Sequence, residues 1–267
     1  MEFDITERLC LQTPLDNLSE LLNSYMMTEI KRRCGRPRYG VDALPLPVVV
    51  GATGFACTVA AARRSKCRVG LAAAGLSLLA VTGIYLHTSL RGKFRIWERV
   101  LDDAALAGDE QVLDLGCGRD AVLVAAARRL PAGRAIGLDL WTKDQSGNGP
   151  EATRANAAAA GVAGRIDVRT GDMTDLPFAE ESFDVVTAAL AIHNIRSPEA
   201  RETALDEAMR VLRPGGQLLI ADITPMTRAY AAHLGHGDLR NLGPGYWYGG
   251  PWFGVSLLRV VKGRRSP

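Results

Sequence analysis

Three short segments in the middle of the chain carry residue types that suit a nucleotide-like ligand. The segment from Asp114 to Gly118 reads DLGCG, and its glycines permit a tight turn and a close backbone approach to a ligand at a helix N-terminus. Asp139 follows about 20–25 residues after this turn, a spacing that suits a ribose diol. In Gly171-Asp172-Met173, the carboxylate can accept a hydrogen bond from an exocyclic amine, and Met173 offers an apolar face to a ring.

The elements that must position these segments form an alternating pattern. From Phe94 onward, the strand patterns QVLDL, RAIGLDL, RIDVRTG, SFDVVTAAL and QLLIADI alternate with helical patterns. This order predicts an α/β fold with a Rossmann-like, doubly wound, mostly parallel sheet. Each acidic segment ends a predicted strand, and ligands of such sheets bind at the carboxyl ends of the strands.

A glycine turn alone would also suit NAD. Gly116 and Gly118 match the first two positions of the dinucleotide fingerprint GxGxxG, but its third position falls on Ala121. Three acidic segments at successive strand ends are therefore more informative than the turn by itself.

The chain resembles the class I S-adenosylmethionine (SAM)-dependent methyltransferases, particularly those similar to ubiquinone/menaquinone-biosynthesis methyltransferases. The matching segments are VLDLGCGRD, GLDL, GDMTDLPF, ESFDVVTAALAIHNI and MRVLRPGGQLLIADI, which cover most of residues 110–223. The resemblance implies that SAM is the cofactor. The implied cofactor-binding residues are Asp114, Gly116, Cys117, Gly118, Asp139, Leu140, Gly171, Asp172, Met173, Ala189 and Leu190.

The resemblance also implies which part of SAM each of these residues contacts. The glycine turn would border the methionine part, Asp139 the ribose, and Asp172 with Met173 the adenine. Ala189 and Leu190 would lie beside the sulfonium. For Cys117, the sequence favours a small side chain that fits a tight turn, because no basic partner for a reactive thiol is visible.

Two features depart from the family pattern. The family usually has a third glycine where this chain has Asp120. Since aspartate tolerates left-handed geometry better than most residues, we expect SAM binding to be retained but weakened. The loop WTKDQSGNGP after Leu140 is also unusually long. It would either close over the adenosine, through Trp141, Gln145 and Asn148, or form a solvent-exposed loop.

Candidates for acid–base chemistry are few. His193 and Asn194 follow the fourth predicted strand, and we predict that His193 lies at the mouth of the site, where it takes a proton from the acceptor or orients it. The alternative is that His193 caps a helix or bonds to the backbone. His87 is a weaker candidate for the same cavity, whereas His233 and His236 are expected on the surface of a C-terminal loop.

Two apolar runs, residues 44–62 and 69–86, contain no charged side chain. Each is close to the ~20 residues that a helix needs to span a bilayer, and the basic segment RRSKCR lies between them. They predict a transmembrane helical hairpin with both flanks on the cytoplasmic side, because the outer flanks are the more basic. Monotopic insertion and a soluble cap of Ala/Gly-rich helices are the alternatives. The predicted domains are an amphipathic and basic arm (1–43), the hairpin (44–90) and the methyltransferase domain (91–267).

An aromatic cluster near the C-terminus has two interpretations. Tyr246, Trp247 and Tyr248, with Trp252 and Phe253, would line an apolar acceptor pocket or lie at the bilayer surface. Alternatively, they would form the core of a last β-hairpin whose final strand is SLLRVV.

Composition narrows the function classes. The net charge of +3 gives no case for nucleic-acid binding, and the five cysteines show no zinc-type spacing, so no metal site is predicted. We therefore expect a membrane-associated enzyme that methylates a small, lipophilic acceptor such as a quinone, isoprenoid or lipid. The alternative, kept open by Asp120, is a SAM-binding or degenerate domain that acts mainly as a membrane-anchored scaffold.

Overall fold

The described part of the chain comprises residues 41, 43–63, 67–119, 121–141, 149–248 and 254–263 of a computed structural model. Most of the predicted N-terminal arm lies outside these residues. So do five individual positions to which the sequence assigned a role: Asp120, Gln145, Asn148, Trp252 and Phe253.

The predicted alternation of strands and helices is confirmed. The strands are β1 (Gln111–Leu115), β2 (Arg134–Asp139), β3 (Ile166–Thr170), β4 (Phe183–Ala189), β5 (Leu212–Ile223), β6 (Asp238–Asn241) and β7 (Val255–Val261). Within the described residues they form one sheet in the order β3-β2-β1-β4-β5-β7-β6. Neighbours from β3 to β5 pair in parallel, and β7 pairs antiparallel with both β5 and β6. This is the Rossmann-like, mostly parallel sheet expected from the sequence.

Helices cover both faces of the sheet, which is why its central strands are mostly apolar. On one face lie α3 (Lys93–Asp103), α4 (Ala121–Arg128) and α5 (Pro150–Ala159), and on the other lie α6 (Pro198–Val211) and α7 (Thr224–Leu234). Along β1, Val112 packs on the first side, whereas Leu113 and Leu115 pack on the second. The carboxyl ends of β1, β2 and β4 are therefore held between two layers of packed side chains.

The two apolar runs form the helices α1 (Pro45–Ala62) and α2 (Arg68–His87), which pack against each other through small residues. A Cβ atom added at Gly75 would lie 2.6 Å from Thr58 Cγ2 and 2.8 Å from the carbonyl oxygen of Gly54. The two backbones are thus in direct contact at Gly54 and Gly75, as in helix pairs of membranes. Both helices are long and apolar enough to cross a bilayer, by length and composition.

The second apolar helix does not end at the predicted boundary between residues 90 and 91. It continues through a π-helical turn, Thr88–Gly92, into α3, so that one helix runs from Arg68 to Asp103. Gly92 is buried against the backbone of Gly245, with no room for a Cβ atom. The hydroxyl of Thr88 donates to the carbonyl oxygen of Trp247 at 2.8 Å. The hairpin is therefore attached rigidly to the sheet domain.

Two elements near the C-terminus were not predicted. Helix α7 places His233 on a helix instead of in the expected loop, where its Nε2 lies 2.8 Å from Asp206 Oδ1. Strand β6 is exposed along its whole length, so it lacks the alternating apolar pattern that identifies a strand. His236 is exposed, as expected.

Candidate active site

The glycine turn after β1 has the geometry that its glycines require. Gly116 and Gly118 have φ values of +66° and +50°, which L-residues with a side chain rarely adopt. A Cβ atom at Gly116 would also overlap the side chain of Ala191. Cys117 is buried, and its sulfur occupies the space that a side chain at Gly137 would need. This packing supports the interpretation that Cys117 is a small side chain that fits a tight turn.

Helix α5 fixes this turn from behind. The hydroxyl of Thr153 donates to the carbonyl oxygen of Gly118 at 2.8 Å, and the amide of Asn156 donates to that of Arg119 at 3.2 Å. Both side chains are buried. The turn is therefore preorganised by hydrogen bonds to its carbonyl groups. The side of the turn that faces the cavity remains available to a ligand.

Asp139 lies at the carboxyl end of β2, directly beside the turn. Its two carboxylate oxygens accept hydrogen bonds from the backbone N–H groups of Gly118, at 2.8 Å, and Trp141, at 2.6 Å. Since a carboxylate has about four acceptor positions, each oxygen can still accept one bond from a ligand hydroxyl. The indole of Trp141 donates to the hydroxyl of Thr170 at 2.7 Å, which holds this side chain against β3.

Asp114 is the most perturbed acid of the site. Its carboxylate is buried and accepts a hydrogen bond from the hydroxyl of Thr187 at 2.7 Å. Burial, assisted by the nearby charge of Asp139 and opposed by the Thr187 bond, raises the pKa of Asp114 from 3.8 to about 7. A buried acid with such a pKa is most readily ionised when a cation binds beside it.

A cavity of about 1030 Å³ connects the strand ends, slightly above the range of about 300–1,000 Å³ for small-molecule pockets. Every residue predicted to bind the cofactor lines it, except Gly171. The lining members are Asp114, Gly116, Cys117, Gly118, Asp139, Leu140, Asp172, Met173, Ala189 and Leu190. Gly171 lies just outside, where a side chain would press on Leu138. Asp172 is exposed and accepts a bond from the backbone N–H of Thr174 at 2.9 Å, which places it at the rim.

His193 also lines the cavity, on the 3-10 turn Ile192–Asn194 that follows β4. Its Nδ1 lies 2.7 Å from Oδ1 of Asp222, a close contact that is not aligned as a hydrogen bond and becomes ionic only when the imidazole is protonated. The backbone N–H of His193 donates to the other oxygen of Asp222 at 3.2 Å. The side chain of His193 thus lies at the cavity. The bond to Asp222 comes from the backbone N–H, so it is not the side-chain bond to the backbone that was the alternative.

Asp222 and its second partner, Tyr230, were not identified from the sequence. Asp222 is fully buried near the carboxyl end of β5, and the hydroxyl of Tyr230 donates to it at 3.2 Å. Burial, together with the charge of Asp222, raises the pKa of Tyr230 above its ordinary value, so this hydroxyl stays a donor. The strand-end rule that selected Asp114 and Asp139 would also have selected Asp222.

Asn194 lines the cavity with an exposed side chain whose amide donates to the carbonyl oxygen of Leu190 at 3.3 Å. Leu190 has a φ of +52°, and its N–H donates to Ala221. The side chain of Asn194 thus stabilises the backbone conformation directly after β4. His87 is exposed and lines a separate, smaller cavity with Trp247, so it does not face the main one.

The aromatic segment after β6 joins the hairpin to the cavity. Tyr246 and Tyr248 line the cavity, the hydroxyl of Tyr246 accepts a hydrogen bond from the indole of Trp97 at 3.2 Å, and Tyr248 packs edge-on against Tyr85 at 5.1 Å. Trp247 pairs with Gly254 in an antiparallel bridge. Among the described residues of this cluster, Tyr246 and Tyr248 therefore line the cavity, whereas Trp247 belongs to a β-bridge. No group of three His, Cys, Asp or Glu residues within the described ranges could hold a metal ion.

Comparison with known proteins defines the class of this site. Residues 113–220 match a family described as a methyltransferase domain. Together with the sheet order and the strand-end cavity, this match shows that the chain carries a class I SAM-dependent methyltransferase domain, whose cofactor is SAM.

Within that class, the chain is similar to two curated enzymes. It is 36% identical over 136 residues to the ubiquinone/menaquinone biosynthesis C-methyltransferase UbiE of Roseobacter denitrificans, covering 51% of each chain. It is 36% identical over 146 residues to the nocamycin O-methyltransferase of Saccharothrix syringae, covering 54% of this chain and 49% of that one. The chain thus spans about half the length of these relatives.

The fold is also similar to that of a geranyl diphosphate methyltransferase solved with GPP and sinefungin. The TM-score is 0.51 at 17% identity, covering 62% of this chain and 77% of that one. At this identity, the likeness concerns the fold alone.

Proposed function

We propose that the protein is a membrane-associated methyltransferase that moves the methyl group of SAM to a small, lipophilic acceptor of the quinol or phenol type. The observation that carries this proposal is the shared cavity, whose lining includes both the strand-end residues and the base of the apolar hairpin. The similarity to the UbiE C-methyltransferases supports a quinone-type head group.

The chemistry of the residues that line the cavity suits SAM. We assign the glycine turn and Asp114 to the methionine part, Asp139 to the ribose, and Asp172 with Met173 to the adenine. The acidic groups Asp114, Asp139 and Asp172 line the cavity at the strand ends and outnumber the two cationic residues of its lining, Lys93 and Arg119, which favours a cationic ligand at the strand ends. When bound, SAM supplies an electrophilic methyl group and leaves as S-adenosylhomocysteine.

The chain's own contribution is to position the acceptor and remove its proton. A phenolic hydroxyl has a pKa near 10, so it needs a base to become a good nucleophile at neutral pH. His193 is placed to accept this proton on Nε2, because Nδ1 lies against Asp222. Asp222, which accepts a hydrogen bond from Tyr230, lies beside the ring and would stabilise the imidazolium through its negative charge. The resulting phenolate can react at oxygen or, through its ring, at carbon, in which case the ring carbon then loses its own proton.

The hairpin supports the membrane part of the proposal. Its apolar side chains Val49, Phe55 and Val69 are between 63% and 77% exposed, which is unfavourable in water and natural in lipid. We assign the catalytic domain to the cytoplasmic side, where SAM is available and to which the basic flanks point.

The test uses the full-length protein in lipid nanodiscs with SAM carrying a labelled methyl group and a lipid extract as acceptor pool. We expect label in the lipid phase from the wild type. His193→Ala should bind SAM normally but lose about 100-fold or more in turnover, the range for a general base. His236→Ala, at an exposed histidine of the same chain, should behave like the wild type. SAM binding without transfer to any lipid would instead favour the scaffold alternative.

A further inference from the structure

We propose that the hairpin is part of the acceptor site: the ends of α1 and α2 nearest the sheet domain bind the hydrocarbon tail of the acceptor. The residues concerned, called the tail arm below, are Leu46, Pro47, Val50, Val81, Thr82 and Tyr85. The inference rests on the proposed function, because it requires a lipophilic acceptor, and it adds where the tail lies and how the molecule reaches the site.

The tail arm is continuous with the catalytic end of the cavity. Its residues line the same cavity as Gly116 and His193. Trp97 of α3 and Tyr246 line this cavity as well, and both are buried. One ligand can therefore place a head group at His193 and extend a chain toward the hairpin.

The two ends of the cavity differ in chemistry. The carboxylates of Asp114, Asp139 and Asp172 are at the strand ends, whereas the tail arm has no charged group. Its one aliphatic hydroxyl, on Thr82, already donates to the carbonyl oxygen of Leu78 at 2.8 Å, and so offers mainly a methyl group to the cavity. A hydrocarbon chain gains free energy from such a lining, since it leaves few polar groups without partners.

The packing of the hairpin decides where the tail arm opens. At Gly54 and Gly75 the helices touch backbone to backbone, so no chain can pass between them beyond this crossing. Leu46, by contrast, lines the cavity and is still 53% exposed. Its neighbours Leu44 and Val49 are exposed as well. The arm therefore opens sideways at Leu46, on apolar surface that the proposed function assigns to lipid.

This geometry indicates the class of acceptor that the cavity would bind. The acceptor would be an amphiphile with a hydroxylated aromatic head group and an isoprenoid or alkyl tail of several carbons. Such a molecule would move from the bilayer into the cavity without crossing water. A head group lacking a tail would bind only through its contacts near His193.

The experiment compares two probes, hydroquinone and farnesyl-hydroquinone, on the full-length protein in nanodiscs. Val50→Trp and Val81→Trp should fill the tail arm and raise the KM for the farnesylated probe about tenfold or more, since each displaced methylene group weakens binding several-fold. The KM for hydroquinone and the Kd for SAM should not change. The matched control is Val69→Trp, which adds the same side chain at a 77% exposed position of α2 that does not line the cavity and should leave both probes unaffected.

Equal effects on both probes, or an equal effect of Val69→Trp, would overturn the tail arm while leaving the methyltransferase intact. A second measurement keeps the two proposals separate. Farnesyl-hydroquinone with a photoreactive group at the end of its tail should cross-link within residues 46–50 and 81–85. If the wild type methylates neither probe, the acceptor assignment fails. The cross-linking still decides the tail arm, which is refuted if label falls only on the outer faces of the hairpin.

Discussion

At the scale of single residues, Asp114 makes the methyltransferase site pH-dependent. Its folded-state pKa, about 7, lies above the ordinary value of 3.8, so the folded protein holds this proton more tightly than the unfolded chain does. The stabilising contribution is complete below about pH 4 and is lost as the pH rises toward 7. Cationic SAM should favour the ionised carboxylate. We therefore expect SAM affinity to rise about tenfold between pH 6 and 8, following the ionised fraction of a group with this pKa.

Isothermal titration with SAM across this range measures the effect. Asp114→Asn removes the titrating group, so its SAM affinity should be lower but nearly independent of pH, apart from the ionisation of SAM itself. The variant should also lose the decline in thermal stability that the wild type shows between pH 4 and 7. Parallel pH profiles for the two proteins would show that Asp114 does not titrate in this range.

Residues at strand ends could be predicted from the sequence, but their partners could not. Asp139 and His193 follow recognisable strand patterns, and both line the cavity. Thr187 and Tyr230 act through contacts with Asp114 and Asp222, and nothing in their local sequence distinguishes them. A hydrogen bond between two strands, or between a helix and a strand, depends on the tertiary packing.

At the scale of elements, the crossing of α1 and α2 depends on the absence of a side chain at Gly75. Gly75→Leu should force the helices apart, because a Cβ atom alone would meet backbone atoms of α1. We expect a cost of about 1–3 kcal/mol and a lower melting temperature in detergent, by roughly 2–4 °C per kcal/mol. Gly83→Leu is the matched control, since Gly83 lies on the same helix with nothing within 4 Å of its Cβ position. Equal melting temperatures for the two variants would contradict this close packing.

The elements themselves were easier to predict than the way they join. The helix from Arg68 to Asp103 crosses the boundary expected between residues 90 and 91, a few residues after the apolar run 69–86. In the structure, the close contact between Gly92 and Gly245 stabilises a π-helical turn there. Such turns often mark functional positions in helices, and this one connects the hairpin to the wall of the cavity.

At the scale of the whole molecule, the proposed membrane location depends on the exposed apolar surface of the hairpin. If the hairpin lies in the bilayer, the wild type should remain with the membrane pellet during alkaline carbonate extraction. The triple variant Val49→Lys, Phe55→Lys, Leu76→Lys changes only side chains that are 63–65% exposed, so its fold should persist. Each lysine costs about 2.5–3.5 kcal/mol at the centre of a membrane helix, and we expect the triple variant to be released.

Leu239→Lys, at an exposed position of β6 in the sheet domain, should stay with the membrane. Complete release of the wild type would refute both transmembrane and monotopic insertion, and with them the lateral route of the acceptor, while the SAM site at the strand ends would stand.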